Sequence, residues 1–408
     1  MSHSPQREII AIPADTAETL RRTLSTRGDV LRLSYIGGPG DVVGTYTYWR
    51  AGVPDPRVPS VTYSAQLYEL AKQAEASLQV VTGFAPPEED TENIRFTQVK
   101  QSQWDGRLQY YMSQARYVRD VATAVDTFDP HVVIASLNFP DSGWKRLSHG
   151  RKLILTAHNT FWPMGQTPTS LKASMRIQRL RRRSTALDGA VCTSHECARQ
   201  ISAVTGARIK GRVEHPQIVE EHKVQARHRM RRLLYLGRIE RAKGIFMLLE
   251  AFLELKQSIP DLDLTFAGAG SCDAELRAAI ETAGSPDLRF LGRLDSAAVH
   301  REIATTDLVV CPTMSDFPEG LALVGLEAAA HGIPTLQSSI VPAIDLLGPA
   351  CKTFKVDDLA DLKRALNGLA TDDAAYKGLT GHLGDVRPRL QDASLSWGSQ
   401  LALVLRDL

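Results

Sequence analysis

Arg232–Phe252, RLLYLGRIERAKGIFMLLEAF, is the stretch whose reading decides the fold. Leu233–Leu236 is apolar throughout, as a strand covered on both faces must be. Gly237 interrupts it, and after a short charged loop Ile245, Leu248, Leu249, Phe252 and Leu255 recur at helical spacing. Strand, tight loop and helix make the unit of a doubly wound parallel sheet. The rhythm continues through Leu262–Ala267, Leu288–Leu291, Leu308–Cys311 and Ile333–Leu336. It also runs before the quoted stretch, in Val30–Ile36, Leu78–Thr82, His131–Leu137, Lys152–Thr156 and Gly189–Thr193. Strand–helix alternation in both halves predicts two α/β domains, divided within 211–232, where His, Glu and Arg collect without periodicity. Ligands of open α/β sheets bind outside the carboxyl ends of the strands, so two such domains face each other across the site.

With 408 residues, 43% of them hydrophobic and 23% charged, the chain is of ordinary globular composition, which excludes a disordered, collagenous or disulfide-scaffold protein. Lys and Arg outnumber Asp and Glu by 48 to 46, so no global field draws it to nucleic acid and any basic site is local. Five cysteines are an odd count and do not suit a complete disulfide framework. No apolar run approaches the ~20 residues of a membrane span. The polar start, Met1–Arg7, precedes a stretch too short for a signal-peptide core. The expectation is a soluble protein of a reducing, cytoplasmic setting.

The chemistry gathers where strands end. Gly237-Arg238 and Lys243-Gly244 put two cations between a strand and a helix start, where a planar guanidinium fork and a compact ammonium can grip a diphosphate. Phe266-Ala267-Gly268-Ala269-Gly270 closes the next strand with residues small enough for close backbone approach, and Gly292-Arg293 closes another. In Ser315–Pro334, SDFPEGLALVGLEAAAHGIP, Glu319 precedes a helix that Gly320 and Leu321 can open, and Glu327 lies two turns on. Free amides at a helix start favour anions and hydroxyls. A carboxylate beside them can accept from sugar hydroxyls, although a solvated glutamate in a first turn is also common.

Gly237-Arg238 with Lys243-Gly244, Gly268-x-Gly270, and Glu319 with Glu327 occur in one order that resembles glycosyltransferase family 4. These are retaining nucleotide-sugar transferases of GT-B fold, with two facing Rossmann-like domains. The likeness is most specific over Arg232–Pro334. Earlier, Leu153–Trp162 (LILTAHNTFW) and Asp188–Ser194 (DGAVCTS) look like family strands, and Ser394–Trp397 looks like its closing helix. The resemblance implies an acceptor-binding domain over 1–212, a donor-binding domain over 213–390, and a helix in 391–408 returning to the first. It implies that Arg238 and Lys243 neutralise the donor diphosphate. Glu319 and the amides of Gly320 and Leu321 would hold the donor sugar and phosphate, while Glu327 takes the ribose. His158 would face the reacting sugar, with Gly237, Gly268, Gly270 and Arg293 around the donor. No cofactor or metal is required, the nucleotide-sugar, a UDP-sugar on family grounds, being a co-substrate. The partner is a sugar or lipid-linked sugar acceptor, as in cell-envelope or exported polysaccharide synthesis. The chain departs from the pattern at Ala322, where the family usually has glycine.

Other motifs are weaker. Gly38-x-Gly40 and Gly268-x-Gly270 begin dinucleotide fingerprints but lack the third glycine, and Tyr68/Lys72 is a YxxxK pair inside an ordinary amphipathic helix, so a nicotinamide oxidoreductase has little support. A non-catalytic sugar-binding protein of the same fold is the other alternative. Asp261-Leu262-Asp263 reads as a polar turn before a strand, and Cys192, His195 and Cys197 fall short of a four-ligand zinc site. The basic run Lys172–Arg183, KASMRIQRLRRR, is a solvated helix face or a place of peripheral membrane contact. Asp41–Val61 reads as a long loop, stopped from helix formation by Pro54, Pro56 and Pro59. Its Tyr46, Tyr48, Trp49 and Arg50 form either an acceptor-binding lid or packing against their own domain.

Overall fold

The computed structural model describes residues 12, 15, 18 and 30–408, apart from 59, 89–92, 103, 167 and 219–226. Met1–Arg7, Pro59 and the middle of the predicted break therefore lie outside the described residues. Strands β1 (Arg32–Ile36), β2 (Ser77–Thr82), β3 (Ile94–Gln98), β4 (Val132–Ser136), β5 (Lys152–Ala157), β6 (Gly189–Cys192) and β7 (Arg212–Val213) form one sheet, in the order β3-β2-β1-β4-β5-β6-β7. A second sheet contains β8 (Arg232–Leu236), β9 (Asp263–Ala267), β10 (Leu288–Phe290), β11 (Leu308–Cys311), β12 (Thr335–Ser338) and β13 (Cys351–Phe354), in the order β10-β9-β8-β11-β12-β13. Every pairing in both is parallel.

Both sheets reverse direction of growth next to their first strand, at β1/β4 and at β8/β11. A crevice opens at such a switch point, and these two position the site. The strands are buried on both faces because helices cover them. Their polar side chains are accordingly paired: Ser34 Oγ donates to Gln79 Oε1 at 2.8 Å, and Gln79 Nε2 donates to Thr97 Oγ1 at 3.0 Å.

The segment 41–61 is corrected by the structure. Val42–Arg50 is a helix, capped by Asp41, whose side chain accepts from the amide of Gly44. Tyr46 is fully buried against Tyr68 and Phe96, and Trp49 packs on the same core while its Nε1 donates to Glu69 at 3.0 Å. Arg57 lies over the ring of Tyr48, and Arg50 is exposed. Tyr46 and Trp49 thus pack on their own domain's core, the second of the two alternatives read from the sequence, while Tyr48 carries Arg57. Tyr68 is likewise a core residue whose hydroxyl donates to Val42 O at 2.8 Å, which removes the YxxxK pair.

Two strands of chain cross between the sheets side by side. The amide of His215 donates to Leu395 O at 2.8 Å and that of Ile218 to Leu390 O at 2.9 Å. The second crossing delivers the helix Trp397–Arg406 to the first sheet. There Trp397, Leu401, Ala402, Val404 and Leu405 join the core of β1 and β2, and the amide of Gly398 donates to Gln66 Oε1 at 2.8 Å.

Candidate active site between the two domains

A cleft of about 350 Å³ lies where the carboxyl ends of β8 and β11 face that of β5. From the second sheet it receives Gly237, Arg238 and Lys243, and the loop Glu319–Ala322. From the first it receives His158, Asn159 and Tyr63. Arg238, Lys243, Glu319, Gly320, Leu321, Gly237 and His158 thus line one cleft.

Lys243 and Glu319 form an ion pair with side chains only 14% and 10% exposed, and Thr313 Oγ1 donates to the same carboxylate at 3.2 Å. Phe317 lies beneath both cations, its ring centroid 4.1 Å from Lys243 Nζ and 4.8 Å from Arg238 Cζ. An aromatic face turned to cations holds them without neutralising them. Arg238 is exposed and bonded to Glu240 at 3.2 Å, a solvent-facing pair worth little and free to re-form on an arriving anion. Among the described residues the amides of Gly320 and Leu321 donate to no partner. The helix that follows opens at Leu323, later than the sequence suggests, with Ala322 at φ 65° in the left-handed region.

His158 rests on the stacked ring of Tyr63, centroids 4.6 Å apart, and its Nε2 shares a hydrogen bond of 2.7 Å with Thr156 Oγ1. Burial lowers its pKa to about 4, so the imidazole is neutral near pH 7. The Tyr63 hydroxyl donates at 2.8 Å to Glu214, a fully buried carboxyl that burial pushes up to about 8. Neither Tyr63 nor Glu214 has a local sequence signal, since the first is 95 residues from His158 and the second 151 from Tyr63.

Other expected residues stand apart from the cleft. Gly268 and Gly270 lie behind the Gly237–Ile239 turn, where a β-carbon would meet Gly237 O at 1.7 Å and Ile239 O at 2.3 Å. They let two loops meet backbone to backbone and so set the turn that presents Arg238. Arg293 is exposed and does not line the cleft. Glu327 sits in the helix Leu323–Ala330, buried, its carboxylate with no hydrogen-bond partner among the described residues. Burial raises its carboxyl to about 7. Among the described residues no group of three or more His, Cys, Asp or Glu could hold a metal ion, and no helix is long and apolar enough to cross a membrane.

Comparison with known proteins bears on the family and the fold. Residues 218–377 match the glycosyl transferases group 1, and residues 61–214 match Glycosyltransferase Family 4. A glycogen synthase of Mycobacterium tuberculosis is 32% identical over 149 residues, covering 35% of this chain and 34% of that one. A GDP-mannose-dependent monoacylated alpha-(1-6)-phosphatidylinositol monomannoside mannosyltransferase of Corynebacterium glutamicum is 28% identical over 181 residues, 42% of this chain and 45% of that one. The chain thus spans less than half the length of the curated relatives it matches. Among solved structures, Anabaena Alr3699/HepE in complex with UDP and glucose superposes with a TM-score of 0.62 at 15% identity, over 93% of this chain and all of that one. The fold, two facing parallel sheets with a returning terminal helix, is that of the GT-B transferases. Matched in both of its halves, the chain belongs to glycosyltransferase family 4.

Proposed function

We propose that the protein transfers a sugar from a nucleoside diphosphate to a hydroxyl acceptor, with retention of configuration. Residues 1–212 would serve the acceptor, 213–390 the donor, and 391–408 would return to the first domain. The observation that carries the reading is the convergence on one cleft of Arg238, Lys243 and the unpartnered Gly320 and Leu321 amides, opposite His158.

A departing diphosphate gains charge as its glycosidic bond breaks, and preorganised cations stabilise that charge without a metal. Lys243 would exchange Glu319 for phosphate oxygens, leaving Glu319 and Thr313 to meet sugar hydroxyls. Glu319 is the sole carboxylate among the described residues lining the cleft, and it is ion-paired. A double displacement needs a free carboxylate nucleophile, so same-face attack is favoured, with the leaving phosphate accepting the acceptor proton. Glu327, buried behind the cleft, would accept the ribose hydroxyls. UDP is proposed as the nucleotide, and cell-envelope or exported polysaccharide as the product. The Anabaena protein's complex holds UDP, whereas the Corynebacterium relative is named for GDP-mannose.

The test is nucleotide release from UDP-, GDP- and ADP-sugars by the whole chain and by Lys243→Ala, with the first-formed linkage read by NMR coupling. Release from one donor class, lost in the variant, and an α product from an α donor are expected. A β product would refute retention, and no release from any donor would refute the transferase reading.

A further inference from the structure

In the loop Glu319–Ala322 the amides of Gly320 and Leu321 have no partner among the described residues, whereas every carbonyl has one. Thr160 Oγ1 donates to Glu319 O at 3.4 Å, and Cys197 Sγ donates to Gly320 O at 3.8 Å. The amide of Ala343 donates to Leu321 O at 3.0 Å, and that of Gly325 to Ala322 O at 3.1 Å. The last two donors belong to the loop's own domain. Thr160 and Cys197 belong to the first domain, on the segment that leaves β5 and in the first turn of the helix His195–Thr205. Both are buried. Cys197 Sγ also lies 3.7 Å from Thr193 Oγ1, whose own proton goes to Ala157 O at 3.3 Å. Burial raises the Cys197 pKa, which keeps its S–H donor in place.

A peptide group is planar and trans, so a carbonyl and the amide that follows it point in opposite directions. Fixing Glu319 O therefore fixes the Gly320 N–H, and fixing Gly320 O fixes the Leu321 N–H. Unfixed, both planes are free to turn over, because glycine lacks the β-carbon that restricts its backbone. Turned over, they would offer a diphosphate two carbonyl oxygens instead of two donors. The glycine is itself required, since a β-carbon at 320 would meet His158 O at 2.0 Å.

We propose that Thr160 and Cys197 are positioning residues for the donor diphosphate: from the first domain they pin two carbonyls of the second, and so aim the Gly320 and Leu321 amides at the phosphates. The proposal rests on the transferase reading above. Neither side chain touches the ligand, and each acts through one peptide plane.

Binding of UDP, uridine, GDP and guanosine to the whole chain is measured by calorimetry for the parent, Thr160→Val, Thr160→Ser, Cys197→Ala and Cys197→Ser. Valine keeps the branched shape of threonine without its donor, and serine keeps a donor at either position. The nucleosides are the control, because they lack the phosphates that the amides face. Affinity for the diphosphate that the parent binds is expected to fall roughly 3–10-fold in Thr160→Val, the scale of one lost hydrogen bond. The fall is about twofold in Cys197→Ala, whose thiol is the weaker donor. Affinity for the nucleoside holds in every variant, and both serine variants bind like the parent. A Thr160→Val or Cys197→Ala protein that binds the diphosphate like the parent would overturn the proposal. So would an equal loss for the nucleoside, which marks a displaced domain rather than a turned peptide, or a Thr160→Ser protein as impaired as Thr160→Val. Thr160→Ala takes the place of Thr160→Val should the latter not fold. Nucleotide release by the parent is scored in parallel. Its absence refutes the transferase reading by itself, and its presence with diphosphate affinity indifferent to Thr160 refutes the positioning role by itself.

Discussion

Gly320 packs against the backbone of the first domain, and adding one methyl group there has a calculable consequence. A β-carbon at 320 would lie 2.0 Å from His158 O, 2.9 Å from its carbonyl carbon and 3.0 Å from Asn159 Cα. Ordinary contact begins near 3.4 Å, so the carbonyl and the loop must separate by about 1.4 Å. The obstacle is backbone at the end of β5, which cannot rotate aside as a side chain does. Relief comes from parting the domains or displacing the Glu319–Leu321 loop, and either widens the distance between His158 and the cations. Misplacement by ~1 Å can cost about 10²-fold in rate. Overpacking costs about 1–3 kcal/mol, a few degrees in Tm, because each sheet keeps its own core. Gly320→Ala is therefore expected to lower kcat/KM for transfer about a hundredfold with a small drop in Tm. Gly368→Ala, on a helix where a β-carbon meets nothing within 4 Å, serves as the control and should be fully active and slightly more stable. A Gly320→Ala enzyme with kcat/KM within twofold of the parent would refute the view that the closely packed cleft is the working state.

Lys243→Ala should reduce kcat by roughly 10²–10³-fold, as for loss of one preorganised group facing developing charge, and steady-state nucleotide release measures it. Glu327→Ala should weaken nucleotide binding more than it slows chemistry, because ribose contacts are alike in ground and transition states. Unchanged UDP affinity by calorimetry would remove the ribose assignment. Burial raises the Glu214 carboxyl to about 8 and that of Glu327 to about 7, from 4.5. Their contribution to stability is complete below pH 4.5 and is lost as pH rises through 7 and 8. Glu214→Gln keeps an acceptor for Tyr63 and should flatten the fall of Tm over that range, whereas a slope equal to the parent's would contradict it.

Much of this site was legible because its signals are local. Arg238, Lys243 and Glu319 lie in the loops that leave β8 and β11, so recognising the strand places the loop at a sheet's carboxyl edge. The glycines of 268 and 270 were recognisable as close-approach positions, but what approaches them is the neighbouring loop. The segment 41–61 misled because prolines at 54 and 56 and aromatics in a row resemble a loop, while the helix ends at Arg50, ahead of those prolines. Its Gly44 sits where a β-carbon would strike Asp41 and Arg57, which pair across it. Strands β7 and β13, at sheet edges and of two and four residues, carry too little pattern to announce themselves. Tyr63 and Glu214 meet only through the tertiary fold.

The helix Trp397–Arg406 also sets the order in which the protein is built on the ribosome. The first sheet is complete when Val213 has been made, yet its core lacks Leu401, Leu405 and Trp397, the last of which packs on Tyr35 and Tyr63. At ~5–20 residues per second, the ~190 residues still to come keep that apolar groove open for roughly 10–40 s. The second sheet closes within contiguous sequence, its last strand ending at Phe354. Nascent chains stalled after about residue 391 should therefore carry a finished second domain behind a first that still attracts chaperones, and the half synthesised first is the last to become native.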